Sequence, residues 1–172
     1  MSELERSESG PRVRGERSEP AAPPLRSIGL VLHRDGRFTH EGVPIRNRRL
    51  RAAFERSVRY LPDEARYVVQ LGRFRGVVDV EEAGFFVRSV DLARGAIRLS
   101  DGSEEPLDPG SLRLSPSGDG ALLCTVKRAL APTGLPARFE RGAQAELLLG
   151  VEESAGGLEL RVAGASHRLR LT

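Results

Sequence analysis

The 172-residue chain is 39% hydrophobic and carries a formal net charge of +3, values that suit one or two small folded domains and exclude a chain that is disordered throughout. Its single cysteine excludes a disulfide framework or a cysteine-based zinc site, and no apolar run reaches the roughly 18 residues of a membrane span. Because the N-terminal segment also lacks the apolar stretch of a signal peptide, we expect a soluble protein of the cytoplasm that does not contact membranes.

Residues 1–26 are predicted to form a disordered tail. They are rich in Glu, Ser, Arg, Gly and Pro, they show no hydrophobic period, and the sequence PAAPP lies near their end. Such a segment cannot bury enough apolar surface to offset the entropy lost on ordering. We interpret the tail as a passive leader, with an interaction arm as the alternative.

Residues 27–100 are predicted to form a first half that contains both strands and a helix. The dipeptide Asp35-Gly36 favours a tight hairpin turn between two short strands. From Arg66 to Leu99 the apolar residues alternate with polar ones, which predicts an antiparallel meander.

A helix is predicted between the hairpin and the meander. Apolar residues recur there at helical spacing, Asn47 is a suitable N-cap, and Pro62 ends the pattern. The apolar stripe consists of Leu50, Ala53, Phe54, Val58 and Leu61. A helix and a sheet that each have one apolar face are expected to pack on one another.

Residues 101–118 are acidic and rich in turn residues, which predicts a connector with short strands. Residues 119–172 are predicted to form a second half. It begins with a strand, continues with a helix whose apolar face holds Ala143, Leu147 and Val151, and ends with two alternating segments around a turn.

Two octapeptides indicate an internal repeat. GVPIRNRR (42–49) and GLPARFER (134–141) share Gly, Pro and two Arg, and each follows an Asp-Gly turn and a strand and precedes a helix. The glycine permits a turn and the proline keeps the residue before it extended. We therefore predict an α+β fold of two related halves, each a helix packed on a mainly antiparallel sheet, after a disordered N-terminal tail. A single continuous sheet with two helices is the alternative.

The sequence also resembles a bacterial family known as domain of unknown function 1285. GVPIRNRRLRAAF has the spacing of Pro, Ile, Leu and Phe that is typical of this family. VEEAGF (80–85) is similar to the family's acidic turn Val-Glu-Asp-Ala-Pro-Phe, with Glu82 and Gly84 in place of Asp and Pro. ARFER (137–141) is similar to the family's Ala-Arg-aliphatic-x-Arg before a helix. The resemblance implies a two-domain α+β fold with repeated motifs, a cleft between the halves, and a nucleotide-like ligand with a signalling role.

Catalytic and metal-binding patterns are not found in the sequence. Cys124 lies in an apolar strand and is expected in the core, Ser166-His167 has no supporting motif, and the three histidines lack metal-ligand spacing.

Asp79 and Glu81 share one face of a strand, and Glu82 begins the next turn. These carboxylates have three interpretations: a solvated rim, ion-pair partners of arginines, or Mg²⁺ ligands in an enzyme. We expect no cofactor and no metal.

Arginines supply the candidate binding site. All basic residues except Lys127 are Arg, which reflects either genome composition or contacts to phosphate and carboxylate groups. If both Gly-x-Pro segments face one cleft, their arginines would meet an anion where two helices begin. The candidate ligand-binding residues are Arg46, Arg49, Arg138, Arg141, Glu81 and Glu82. Binding to nucleic acid is not expected, because no aromatic residues are interleaved with the arginines of the first helix.

These features favour a non-enzymatic binding or regulatory protein whose ligand is a nucleotide-like or other anionic small molecule. One alternative is a Mg²⁺-dependent enzyme that acts on a phosphorylated small molecule. The other is a protein-protein interaction module that uses a sheet edge or the arginine face of the first helix to bind a protein partner.

Overall fold

The structure, a computed structural model, describes residues 25–171. Most of the predicted tail therefore lies outside the described residues, and the first strand begins at Arg26. No described helix has both the length and the apolar character needed to cross a membrane.

Six strands form the first sheet. They are β1 (Arg26–Leu32), β2 (Phe38–His40), β3 (Val43–Pro44), β4 (Val58–Leu61), β5 (Arg66–Leu71) and β6 (Phe74–Val80). Their order is β3-β2-β1-β6-β5-β4. The central pair β1/β6 is parallel, and all other neighbours are antiparallel.

The second sheet repeats this arrangement. It consists of β7 (Phe85–Asp91), β8 (Ala96–Leu99), β9 (Glu104–Pro106), β10 (Arg113–Leu114), β11 (Leu122–Val126) and β12 (Leu135–Phe139). The order is β10-β11-β12-β7-β8-β9, again with one parallel pair, β12/β7, at the centre. A third, smaller antiparallel sheet holds β13 (Val151–Ser154), β14 (Gly157–Val162) and β15 (Ala165–Arg168).

Two α-helices lie in the described part of the chain: α1 (Arg48–Ser57), which packs on β5, and α2 (Arg141–Leu148), which packs on β7. Each follows a Gly-x-Pro segment and precedes a three-stranded antiparallel meander. The mixed α+β class with two similar halves is therefore confirmed. Buried side chains of all three sheets form a single hydrophobic core.

The two halves divide the chain differently from the prediction. Residues 85–99 were expected in the meander of the first half, but β7 and β8 lie in the second sheet. Alternating apolar residues predict a strand but do not select its partner. Here β7 pairs with β12, and the connector of residues 101–118 lies between these two strands in the sequence.

Both helices are shorter than predicted. The α1 helix begins at the expected cap, where the Asn47 side chain accepts a hydrogen bond from the Leu50 amide, but it ends at Ser57. Val58 is extended and pairs with Val69, because a β-branched residue at this position suits a strand as well as a helical stripe. Leu50, expected in the core, is 41% exposed. Likewise, α2 stops at Leu148, and Val151 begins β13.

The two glycines of the repeat, predicted to permit turns, adopt a left-handed backbone, with φ of 81° at Gly42 and 70° at Gly134. Their surroundings differ. A Cβ at residue 42 would meet no atom within 4 Å, whereas a Cβ at residue 134 would lie 2.2 Å from Cγ2 of Thr125 and 2.9 Å from the carbonyl oxygen of Val126.

We therefore expect unequal costs for the same substitution. Gly42→Ala should lower the free energy of unfolding by about 1 to 2 kcal/mol, the cost of a left-handed alanine. Gly134→Ala should cost about 1 to 3 kcal/mol more, because overpacking adds to that strain. Urea titration of both variants measures the difference, and equal losses would contradict the crowding at Gly134.

Candidate functional site

An open cleft of about 510 Å³ lies where β12 runs into α2. We call it the α2 cleft. Charged and polar side chains around it come from the β1–β2 turn, the turn before β11, β12 and α2; they include Arg34, Asp35, Asp119, Arg138, Arg141 and Gln144. The cleft thus lies between the first sheet and α2, where the two halves of the chain meet.

Arg138 occupies the inner wall of the α2 cleft and is only 8% exposed. Its Nη1 donates to the carboxylate of Glu82 and, at 3.1 Å, to Oγ of Ser115, while Nη2 donates to the carboxylate of Asp119. The Ser115 hydroxyl in turn donates to Glu82. These contacts tie the turn after β6 and the turn before β11 to β12.

The charges of this network shift the pKa of its members. The pKa of Asp119 falls from 3.8 to about 2, because its carboxylate accepts hydrogen bonds from the Ala121 amide, from Ser117 and from Arg138. Burial alone would lower the pKa of Arg138, but hydrogen bonds to Glu82 and Asp119 outweigh it and raise that pKa. Both groups therefore stay charged at neutral pH.

The candidate carboxylates Glu81 and Glu82 are adjacent in sequence but have different partners. An oxygen of Glu81 lies 2.6 Å from Nδ1 of His33, and its other oxygen accepts a hydrogen bond from the Arg34 amide at 3.0 Å. The Arg34 amide, followed by His33, lowers the pKa of Glu81. Glu82 instead belongs to the Arg138 network. Among the described residues, no three His, Cys, Asp or Glu side chains lie close enough together to hold a metal ion.

The structure brings only some of the candidate arginines together. Arg141 is exposed and lines the α2 cleft beside Arg138. Arg46 and Arg49 do not line it. The reason is that α1 packs on the first sheet and α2 on the second, so the two helix starts do not face one space.

Arg88 is a functional candidate that sequence reasoning missed. From β7 its Nη2 donates to Glu55 of α1 and its Nη1 to Glu140 before α2, both at 2.7 Å. Glu140 is the N-cap residue of α2, and its side chain makes no capping hydrogen bond. One arginine therefore links both helices. The position of Arg88 in the alternating pattern of the strand indicates an exposed side chain but does not identify these two partners.

Lys127 also forms a network that the sequence did not reveal. Its Nζ lies 2.9 Å from a carboxylate oxygen of Asp101, 3.1 Å from one of Glu105, and 5.3 Å from the centre of the Phe85 ring. The Lys127 side chain is only 14% exposed, and its backbone is left-handed with φ of 55°. The only signal in the sequence is that Lys127 is the one lysine of an arginine-rich chain.

Cys124, predicted in the core, is fully buried in β11, and burial raises the pKa of its thiol to about 12. A thiol with so high a pKa is not a nucleophile at neutral pH.

Comparison with known proteins identifies the fold. No protein-family model matches the sequence, and no curated protein matches it. A DUF1285 family protein from Silicibacter pomeroyi DSS-3 has a similar structure over 91% of this chain and 90% of its own, with a TM-score of 0.59 and 19% identity. A DUF1285 family protein from Shewanella baltica OS155 matches 66% of this chain and 85% of its own, with a TM-score of 0.42 and 16% identity. The similarity to the Silicibacter pomeroyi protein confirms the resemblance at the level of the fold.

Proposed function

We propose that this chain, which has the fold of a DUF1285 family protein, is a non-enzymatic regulatory protein of the cytoplasm that binds a nucleotide-like or other phosphate-bearing small molecule in the α2 cleft. The ligand's phosphate would contact Arg141, Arg34 and the first turn of α2. The observation that carries the proposal is an excess of unpaired arginine charge around this cleft.

The charges around the cleft are paired unequally. Each of its three carboxylates has an arginine partner: Asp35 with Arg37, Asp119 with Arg138, and Glu140 with Arg88. By contrast, the guanidinium groups of Arg34 and Arg141 make no ion pair with any described residue. Two positive charges are therefore available, and guanidinium groups bind phosphate through paired hydrogen bonds.

The start of α2 adds backbone donors to these charges. The first amides of a helix have no acceptor within the helix, and here the N-cap residue Glu140 supplies none from its side chain. The space beside Gly142 is open, since a Cβ there would meet no atom within 4 Å. A phosphate can approach these amides, which the helix dipole favours.

The rest of α2 adds a fixed polar side chain and apolar surface to the cleft. Gln144 holds the turn before β11 in place: its Nε2 donates to the Gly120 carbonyl and its Oε1 accepts from the Leu122 amide, both at 2.9 Å. Leu148, which is 50% exposed, supplies apolar surface at the end of the cleft. A ligand with a phosphate and an apolar ring matches this division, as a nucleotide does.

Thermal-shift screening of nucleotides tests the proposal. A ligand present at 100 times its Kd should stabilise the protein by about 2.7 kcal/mol. Arg141→Gln should weaken binding by at least about tenfold, because a hydrogen bond to a charged group contributes about 1.5 to 3 kcal/mol. Arg161→Gln is the matched control, since Arg161 is exposed on β14, away from the cleft. Equal affinities for the wild type and Arg141→Gln would refute the site.

A further inference from the structure

We infer a second anion site, separate from the α2 cleft, in a groove of about 420 Å³ between α1 and the second sheet. We call it the α1 groove. Its lining includes Arg48, Arg51, Ala52, Glu55, Arg56 and Arg88. The chemistry of the groove fits a ligand with two or more linked phosphate groups, such as an inorganic pyrophosphate or polyphosphate chain.

Positive charge dominates the lining. Four guanidinium groups face the single carboxylate of Glu55, and that carboxylate is already paired with Arg88 at 2.7 Å. Arg48, Arg51 and Arg56 make no ion pair with any described residue. A ligand with several negative charges close together would complement these three groups.

Two of these arginines occupy positions that are unfavourable for the helix itself. The first turn of α1 contains no acidic residue, and Arg48 stands at the positive end of the helix dipole. Arg48 and Arg51 are three residues apart on the helix, so their like charges repel one another. A bound anion would relieve both effects, whereas helix formation alone gives no reason for this arrangement.

Arg51 supplies a second, independent observation. Its Nε is buried and makes no hydrogen bond with the described residues. Buried polar groups in proteins almost always have a partner, so a buried donor without one calls for an explanation. Because Nε is buried, a ligand in the groove would contact the terminal nitrogens of this guanidinium group, which also form a fork that binds two oxygens of a phosphate.

The facing wall can also donate. Oγ of Ser100 accepts a hydrogen bond from the Phe86 amide at 3.1 Å, which leaves its hydroxyl proton free to donate to a ligand. The space beside Gly102 is open, with no atom within 4 Å of a Cβ placed there. Among residues 25–171, no aromatic side chain lines the groove. It would therefore recognise phosphate groups rather than a nucleobase, which proteins usually stack on aromatic rings.

Calorimetric titration of the full chain with inorganic pyrophosphate and tripolyphosphate tests this inference. Arg51→Gln should weaken binding of both by at least about tenfold. Arg49→Gln is the matched control on the same helix, because Arg49 does not line the groove, and it should bind as the wild type does. Arg161→Gln, which changes an exposed arginine of β14 outside the groove, should also bind normally.

Ala52→Glu distinguishes a ligand-binding role of these arginines from a role in helix stability alone. The new carboxylate lies four residues from both Arg48 and Arg56, so it should leave α1 as stable as before or slightly more stable. It should nevertheless abolish tripolyphosphate binding. Unchanged binding in both Ala52→Glu and Arg51→Gln would overturn the inference. A single-stranded oligonucleotide that binds more than about tenfold tighter than tripolyphosphate would also overturn it, because such a preference would point to stacking or base contacts.

Discussion

Replacing Arg138 with alanine should lower the free energy of unfolding by about 3 to 5 kcal/mol, the cost of leaving a buried charge without its partner. The charge in question is Glu82: the side chains of Arg138 and Glu82 are only 9% and 11% exposed, so the pair is largely shielded from water. Urea titration at neutral pH measures the loss.

Two further variants test the cause of this effect. Arg94→Ala breaks an ion pair with Glu104 whose side chains are 64% and 50% exposed, and such surface pairs contribute about 0.2 to 1 kcal/mol. The double variant Arg138→Ala/Glu82→Gln should be more stable than Arg138→Ala alone, because the unpaired charge is then removed. Equal losses for Arg138→Ala and Arg94→Ala would show that the Arg138 network is not effectively buried.

The same network makes the free energy of unfolding depend on pH in the acid range. The pKa of Asp119 is lowered from 3.8 to about 2 in the folded chain. The contribution of Asp119 to the free energy of unfolding is therefore fully present above its ordinary pKa and is lost as the pH falls towards 2. Since Arg138 is one of the causes of that shift, Arg138→Ala should lose less stability than the wild type over this pH range.

Replacing Lys127 with methionine should cost about 3 to 5 kcal/mol for a related reason. Methionine keeps the length of the side chain but removes its charge, so two carboxylates remain close together without a cation. One of them, Asp101, is only 9% exposed. Its pKa would rise through burial, but hydrogen bonds from Ser103 and Lys127 outweigh burial and lower it.

The neighbouring residue is the control for this variant. Arg128 forms an ion pair with Asp108 at 2.8 Å, with side chains 54% and 46% exposed, so Arg128→Met should cost at most about 1 kcal/mol. The double variant Lys127→Met/Asp101→Asn should recover part of the loss. If chemical denaturation gave the same midpoint for Lys127→Met and Arg128→Met, the Lys127 network would not contribute to stability.

Much of the fold could be predicted from local signals. Asn47 marked the start of α1, the Gly-x-Pro glycines marked two left-handed turns, and alternating apolar residues marked the strands. The prediction was wrong where two local preferences compete or where the partner is distant. Val58 suits both a helix and a strand, and only pairing with Val69 selects the strand.

The candidate site was predicted less completely, because it depends on contacts between distant segments. Ion-pairing of the Glu81-Glu82 carboxylates with arginines was one interpretation of the sequence, but only the folded chain shows that it is Glu82 that binds Arg138. Arg88 was not predicted, since its two partners lie 33 and 52 residues away in the sequence. A single sequence gives the types of side chain available but not which of them meet.

The parallel pairs at the centre of both sheets affect how the chain reaches its native state. β1 pairs with β6, and β7 with β12, so each sheet is complete only after a long loop has closed. Contacts between strands far apart in sequence slow folding, because the entropy of loop closure is lost before the pairing compensates for it. During synthesis, a nascent chain that has emerged only as far as β11 still lacks the strand that joins β7 to β11. Until β12 leaves the ribosome, β7 therefore presents an unpaired edge, which makes this stage prone to aggregation.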